Sequence, residues 1–92
     1  MARTRVKVRV FGAVQGVCFR METKKKADSL GVKGWVKNNI DGSVDAAFEG
    51  EQDAVDAAVK WCRLGPPLAR VERTETDSEP VTGKELFFEI KY

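Results

Sequence analysis

The sequence contains no histidine and only two cysteines, Cys18 and Cys62, among 92 residues. Structural zinc sites are built from four cysteine and histidine ligands, so two thiols without Cys-x-x-Cys spacing do not supply one. We therefore expect no metal site. Cys62 falls in a helical pattern and the expected compartment is reducing, so we predict no disulfide either.

Long apolar runs are also missing. No stretch approaches the roughly 20 apolar residues that a membrane span needs, and residues 1–5 lack the apolar stretch of a secretory signal. The charge is nearly balanced, with 16 basic and 14 acidic residues and a net charge of +2. This excess is too small to predict nucleic-acid binding. We expect a cytoplasmic protein that binds neither membranes nor nucleic acids.

The length and the apolar pattern predict one domain that comprises residues 1–92. Residues 5–10 alternate charged side chains with valines, which predicts a half-buried strand. Two helices are predicted, one from about Met21 to Leu30 and one between Glu51 and Gly65, because their apolar residues recur every three or four positions. Four further strands are predicted at residues 32–38, 43–49, about 69–76 and 86–92.

The predicted order of elements is β-α-β-β-α-β followed by a C-terminal strand. This order is typical of an α+β, two-layer, ferredoxin-like sandwich, in which a mostly antiparallel sheet carries both helices on one face. On the other face we expect charge pairs across the strands, between the basic residues Arg5, Lys7 and Arg9 and the acidic residues Asp45 and Glu49. The polar strand at 69–76 is predicted to lie at an edge of the sheet.

Residues 12–20, with the sequence GAVQGVCFR, connect the first predicted strand to the first helix. A short loop with two glycines before a helix presents free backbone N–H groups close to the positive end of the helix dipole. Arg20 adds a planar fork of donors that suits a phosphate or a carboxylate. The sequence therefore predicts a site for an oxyanion.

Other phosphate chemistries do not fit this loop. Val17 and Cys18 stand where a Walker A loop has lysine and serine or threonine, and Arg20 is too close to Cys18 for a cysteine-dependent phosphatase. Arg20 cannot act as a base, and no other base is near. A mixed carboxylic–phosphoric anhydride fits, because its carboxylate leaves without a proton at neutral pH and phosphoryl transfer depends mainly on positioning and charge stabilisation.

The same stretch resembles a known family. Residues 12–20 resemble the acylphosphatase signature G-x-V-Q-G-V-x-[FY]-R, and residues 34–44 resemble the second motif of that family, G-[WF]-V-[RK]-N-x-x-[DN]-G-x-V. Trp61-Cys62 and Gly65-Pro66-Pro67 also resemble the end of the second helix in the family. The likeness extends from about Val6 to Tyr92.

The resemblance implies hydrolysis of a small acyl phosphate to a carboxylate and orthophosphate, without metal, cofactor or covalent intermediate. Arg20 would bind the phosphoryl group, and Asn38 would orient the attacking water, although residue preference alone makes Asn38 a turn residue. Backbone amides would hold the same phosphoryl oxygens, those of Gln15, Gly16, Val17, Cys18 and Phe19. Orthophosphate, the product, is expected to inhibit competitively, and the protein is expected to be a monomer.

Two alternative functions remain open. Similar domains form the N-terminal part of the hydrogenase maturation carbamoyltransferase, where carbamoyl phosphate is hydrolysed, but a chain that ends at Tyr92 favours the smaller enzyme. A non-enzymatic module that binds RNA or protein could also share the ferredoxin-like layout. RNA binding requires aromatic side chains on the first and third strands for base stacking, and charged residues occupy those positions here.

Overall fold

The chain forms five strands and two helices in the computed structural model, which describes residues 2–92; Met1, part of the predicted domain, lies outside the described residues. None of the helices in this part of the chain is long and apolar enough to cross a membrane. The elements are β1 (Arg3–Ala13), α1 (Phe19–Leu30), β2 (Lys33–Asn38), β3 (Val44–Glu51), α2 (Gln52–Leu64), β4 (Arg70–Glu79) and β5 (Phe88–Lys91).

The five strands form one sheet in the order β4-β1-β3-β2-β5. Three of the four strand pairs are antiparallel, and only β5 runs parallel to its neighbour β2. α2 packs on β1 and β3, whereas α1 packs on β2 and β5, so both helices cover the same face. The predicted ferredoxin-like sandwich is confirmed, with the polar strand β4 at the edge as expected.

The core lies between the sheet and the two helices. α1 buries Phe19, Thr23 and Ala27, and α2 buries a stripe that includes Val55 and Cys62. These are the faces that the three- and four-residue spacing predicted. Burial raises the pKa of the Cys62 thiol to about 12, so this thiol stays protonated and serves as a small apolar side chain.

α1 begins at Phe19, two positions before the predicted start at Met21. Cys18 precedes it in the left-handed conformation, with φ 62° and ψ 23°, and its carbonyl oxygen accepts the first helical hydrogen bond, from the N–H of Glu22 at 3.0 Å. The conformation of Cys18, which side-chain pattern does not reveal, therefore sets the start of the helix. As a result Arg20 lies in the first helical turn.

The C-terminal third differs most from the prediction. β4 continues to Glu79 instead of ending near residue 76, because it pairs with β1 as far as the Arg5–Glu79 position. β5 comprises only Phe88–Lys91 and not all of residues 86–92.

Residues 80–87, here called the crossing segment, connect the two edges of the sheet across its helix-free face. Glu49 on β3 accepts hydrogen bonds there from the N–H groups of Thr82 and Gly83, at 3.0 and 2.9 Å.

The expected charge pairs are present on the helix-free face. Arg9 donates to both carboxylate oxygens of Asp45, at 2.7 and 3.0 Å. Arg5 donates to Glu49 at 3.2 Å, and two further carboxylates of β4 and the crossing segment lie within 3.3 Å of it. Arg5 is buried under this arrangement, so the ion pairs fix the crossing segment to the sheet.

The buried carboxylate of Glu49 should make stability depend on pH. Burial acts to raise the pKa of Glu49, but hydrogen bonds from Thr82, Gly83 and Arg5 outweigh it and lower the pKa below its usual value. A carboxyl group with a lowered folded-state pKa stabilises the protein above its unfolded-state pKa, and this contribution is lost as pH falls. We expect the free energy of unfolding to decrease below about pH 4.

The substitution Glu49→Gln tests this pH dependence because it removes the titrating group. Urea denaturation between about pH 3 and pH 7 should show a smaller change in the free energy of unfolding for Glu49→Gln than for the wild type. Glu51→Gln, at the exposed end of the same strand, is the control and should keep the wild-type slope. Equal slopes in all three proteins would contradict the prediction.

Candidate active site

The loop between β1 and α1, residues 14–18, has the backbone conformation of an anion site; we call it the anion loop. Gly16 and Cys18 have positive φ values of 74° and 62°, and Val17 between them does not. Such alternation turns successive N–H groups towards one point. Within residues 2–92, no N–H from Gln15 to Met21 donates to a backbone acceptor.

The N-terminus of α1 adds its own free donors to this point. No side chain caps the helix, so the N–H groups of its first turn remain available and the helix dipole is positive there. The ring of Phe19 is buried, and its centre lies 5.6 Å from the centre of the Trp61 ring on α2. This packing fixes the first turn of α1, and with it the direction of the free N–H groups.

Arg20 is half-buried beside these donors. Its Nη1 donates to the carbonyl oxygen of Lys91 at 3.3 Å, and its guanidinium carbon lies 4.8 Å from the centre of the Tyr92 ring. No carboxylate in the described part of the chain forms an ion pair with it. Its positive charge is therefore available to an anionic ligand.

A cleft of about 170 Å³ brings Arg20 and Asn38 together. Of the predicted site residues, Gly16, Cys18 and Phe19 also line it, whereas Gln15 and Val17 do not. No aspartate or glutamate side chain is among the lining residues, which are Val14, Gly16, Cys18, Phe19, Arg20, Met21, Asn38, Ile90 and Tyr92. The chemistry available here is therefore anion binding and orientation, with little capacity for proton transfer.

The C-terminal part of the cleft was not expected from the sequence. Ile90 and Tyr92 reach it because β5 runs parallel to β2, beside α1. Lys24 on α1 also holds β5, since its Nζ donates to the carbonyl oxygen of Phe88 at 2.9 Å. No short-range pattern could indicate this contact, because the strand order that creates it joins distant parts of the chain.

Asn38 reaches the cleft because β2 ends there, opposite Val44 on β3. The turn that follows, residues 39–43, is fixed internally and is called the β2–β3 turn. Asp41 accepts hydrogen bonds from the hydroxyl and the N–H of Ser43, at 2.6 and 2.9 Å, and these bonds lower its pKa. The N–H of Asn39 donates to the carbonyl oxygen of Ser43 at 2.8 Å.

The side chain of Gln15 has a contact that the sequence did not predict. Its Nε2 donates to the carbonyl oxygens of Asn39 and Ser43, at 2.7 and 2.9 Å. The sequence prediction used only the backbone amide of Gln15. The partners of the side chain lie in a hairpin far along the chain, so the sequence carried no local signal for them.

Residues that could ligate a metal do not converge in the described residues, which contain no group of three or more cysteine, aspartate or glutamate side chains placed to hold an ion. Both cysteines are free thiols, with Cys18 exposed at the cleft and Cys62 buried. Arg20 and the free backbone N–H groups of the cleft, in contrast, match the predicted oxyanion ligand.

Comparison with known proteins identifies the family. Residues 6–90 match the acylphosphatase family model. An acylphosphatase of Rubrobacter xylanophilus is 54% identical over 87 residues, which cover 95% of this chain and 79% of that protein. The structure of an acylphosphatase from Coxiella burnetii matches with a TM-score of 0.92 and 36% identity, over 97% of this chain and 93% of that one.

A longer protein contains the same fold. HypF of T. kodakarensis matches with a TM-score of 0.83 and 31% identity, over 97% of this chain but only 12% of its own. The family model spans the anion loop, Arg20 and Asn38, together with nearly all of the sheet. The chain belongs to the acylphosphatase family.

Proposed function

We propose that the protein hydrolyses acyl phosphates by direct attack of an oriented water on a phosphoryl group held by Arg20 and backbone amides. Membership of the acylphosphatase family supports the reaction. The observation that supports the mechanism is the single cleft lined by Arg20, the anion loop and Asn38. No observation favours a second function: on the helix-free face β3 carries Asp45, Ala47 and Glu49, which are buried and offer no aromatic surface to RNA.

Phosphoryl binding is assigned to Arg20 and to the amides of Gln15, Gly16, Val17, Cys18 and Phe19. The phosphoryl oxygens accept hydrogen bonds from these amides, while the guanidinium of Arg20 supplies charge and a planar pair of donors. In phosphoryl transfer, negative charge spreads over the equatorial oxygens of the transition state. Because the donors are fixed before the reaction, they stabilise that charge without reorganisation.

Orientation of the attacking water is assigned to Asn38. The amide oxygen of Asn38 accepts a hydrogen bond from the water, and its NH₂ group donates to a phosphoryl oxygen. This arrangement places the water opposite the leaving carboxylate, in line for displacement at phosphorus. Holding both reactants in this way replaces a bimolecular encounter by an oriented one, which accounts for a large part of the rate acceleration over the uncatalysed reaction.

The leaving group and the proton need no further side chain. The water oxygen forms a bond to phosphorus, the bond between phosphorus and the acyl oxygen breaks, and its electron pair remains on the carboxylate. Carboxyl groups have pKa values of about 4, so the carboxylate leaves unprotonated at neutral pH. The proton of the water passes to a phosphoryl oxygen, and the products are a carboxylate and orthophosphate.

Hydrolysis of benzoyl phosphate in ¹⁸O-labelled water, with a chelator present, tests this mechanism. We expect the label in orthophosphate, because the proposed attack is at phosphorus, and we expect orthophosphate to inhibit competitively. Label in benzoate beyond that of an enzyme-free control would show attack at the carbonyl carbon and overturn the proposal. Loss of activity with the chelator would also overturn it, since the proposed mechanism uses no metal.

We also propose that the protein works as a cytoplasmic monomer on a small-molecule substrate. One chain supplies every residue of the proposed site, which supports activity of the monomer. The two free thiols, one of them exposed beside the site, suit a reducing compartment.

A further inference from the structure

The side chain of Gln15 joins the anion loop to the β2–β3 turn. Its Nε2 carries two hydrogens, and each has an acceptor, the carbonyl oxygen of Asn39 at 2.7 Å and that of Ser43 at 2.9 Å. Gln15 is half-buried, so these bonds are partly shielded from competing water. In the described residues they are the only hydrogen bonds between residues 14–18 and residues 39–43.

Hydrogen bonds within the β2–β3 turn hold its residues together. Asn39 donates from its side chain to the hydroxyl of Ser43 at 2.9 Å, and that hydroxyl donates to Asp41 at 2.6 Å. Asn38 directly precedes the turn and is the last residue of β2. A shift of the turn relative to the anion loop therefore changes the position of Asn38 relative to a phosphoryl group bound in that loop.

We propose that Gln15 is a positioning residue, whose side chain sets the distance between Asn38 and the bound phosphoryl group. This inference rests on the proposed function, in which Asn38 orients the water. The backbone amides and Arg20 hold the phosphoryl group without help from the Gln15 side chain. Loss of that side chain should therefore slow the chemical step and leave anion binding nearly unchanged.

The variant Gln15→Met tests the inference because methionine has a similar length and no donor. We expect kcat for benzoyl phosphate to fall about tenfold, since displacements of about 1 Å in a reacting geometry cost up to about 100-fold. The inhibition constant of orthophosphate should stay within about twofold of the wild type. Gln52→Met is the matched control, because Gln52 is the other glutamine and is exposed on α2; it should leave both constants unchanged.

A double-mutant cycle separates positioning from general damage. If Gln15 acts through Asn38, Gln15→Met should cause no further loss of kcat in an Asn38→Ala background, because the effects of substituting coupled residues are not additive. Additive losses would overturn the inference, as would a parallel loss of orthophosphate binding in Gln15→Met. Urea denaturation of each variant establishes that the proteins compared are folded.

The pH profile of Gln15→Glu provides a second readout. An ionised carboxylate only accepts hydrogen bonds, so it would face the two carbonyl oxygens without a donor; the protonated acid restores one donor. The kcat of Gln15→Glu relative to wild type should therefore rise as pH falls from about 7 to about 5. A flat ratio in a folded variant would contradict the inference.

These experiments distinguish the inference from the proposed function. If Asn38→Ala lowers kcat and Gln15→Met does not, the role of Gln15 fails and the proposed mechanism stands. If Asn38→Ala has wild-type activity, the proposed mechanism fails, and the role of Gln15 fails with it.

Discussion

Arg20→Ala should reduce kcat/KM for benzoyl phosphate by about 10³-fold, the loss typical of removing a donor to the developing charge of a transition state. The guanidinium is half-buried, has no carboxylate partner in the described residues and lines the cleft with the free amides. Its one side-chain hydrogen bond within the described residues, to the carbonyl oxygen of Lys91, is long at 3.3 Å, so the free energy of unfolding should fall by less than about 1 kcal/mol. The activity loss thus reports on the site and not on unfolding.

The variant Arg20→Lys separates charge from geometry. Lysine keeps the positive charge but cannot form the planar, two-pronged contact, so its activity should lie between wild type and Arg20→Ala. Orthophosphate inhibition should weaken in both variants. Arg63→Ala on α2 is the control, because Arg63 is exposed and outside the cleft. Arg20→Ala with more than a tenth of wild-type activity would contradict the assignment.

Asn38→Ala should lower kcat about 100-fold while KM changes little. Arg20 and the backbone amides still bind the phosphoryl group without the NH₂ group of Asn38, whereas no other residue of the proposed site orients the water, so the loss falls mainly on the transition state and not on substrate binding. The expected size of the loss in kcat follows from the effect of misplacing a reactant by about 1 Å. Steady-state kinetics with benzoyl phosphate, and orthophosphate inhibition as a measure of anion affinity, check both parts of this prediction.

Two further variants make the test of Asn38 specific. Asn38→Asp keeps the shape and can accept from water, but its charge opposes the anionic phosphoryl group, so we expect weak activity and weaker orthophosphate binding. Ile40→Ala is the control in the adjacent turn, because the Ile40 side chain is fully exposed. A raised KM with unchanged kcat in Asn38→Ala would show that Asn38 binds substrate and does not orient water.

Most of the fold could be predicted because its elements have regular patterns. The alternation at Val6, Val8 and Val10 indicated β1, and the spacing of Phe19, Thr23 and Ala27 indicated the buried face of α1. Each pattern depends on the repeat of one element, about two residues in a strand and 3.6 in a helix. These elements and their order were sufficient to predict the ferredoxin-like class.

The crossing segment and the start of α1 could not be predicted in the same way. Residues 80–87 show no regular apolar spacing, and their course is fixed by Glu49 and Arg5 on strands far away in the sequence. α1 starts at Phe19 because Cys18 adopts a left-handed conformation that non-glycine residues seldom take. The local spacing of apolar residues predicts neither feature.

The sequence by itself determined the anion loop, because Gly16, the start of α1 and Arg20 are close neighbours in the chain. Its resemblance to the acylphosphatase signatures added Asn38 to the predicted site. Only the tertiary structure decided that Asn38 faces the loop, that Gln15 ties their two segments together, and that Tyr92 lies beside Arg20. These contacts depend on strand order and register, which arise when the whole sheet packs against its helices and not from any single segment.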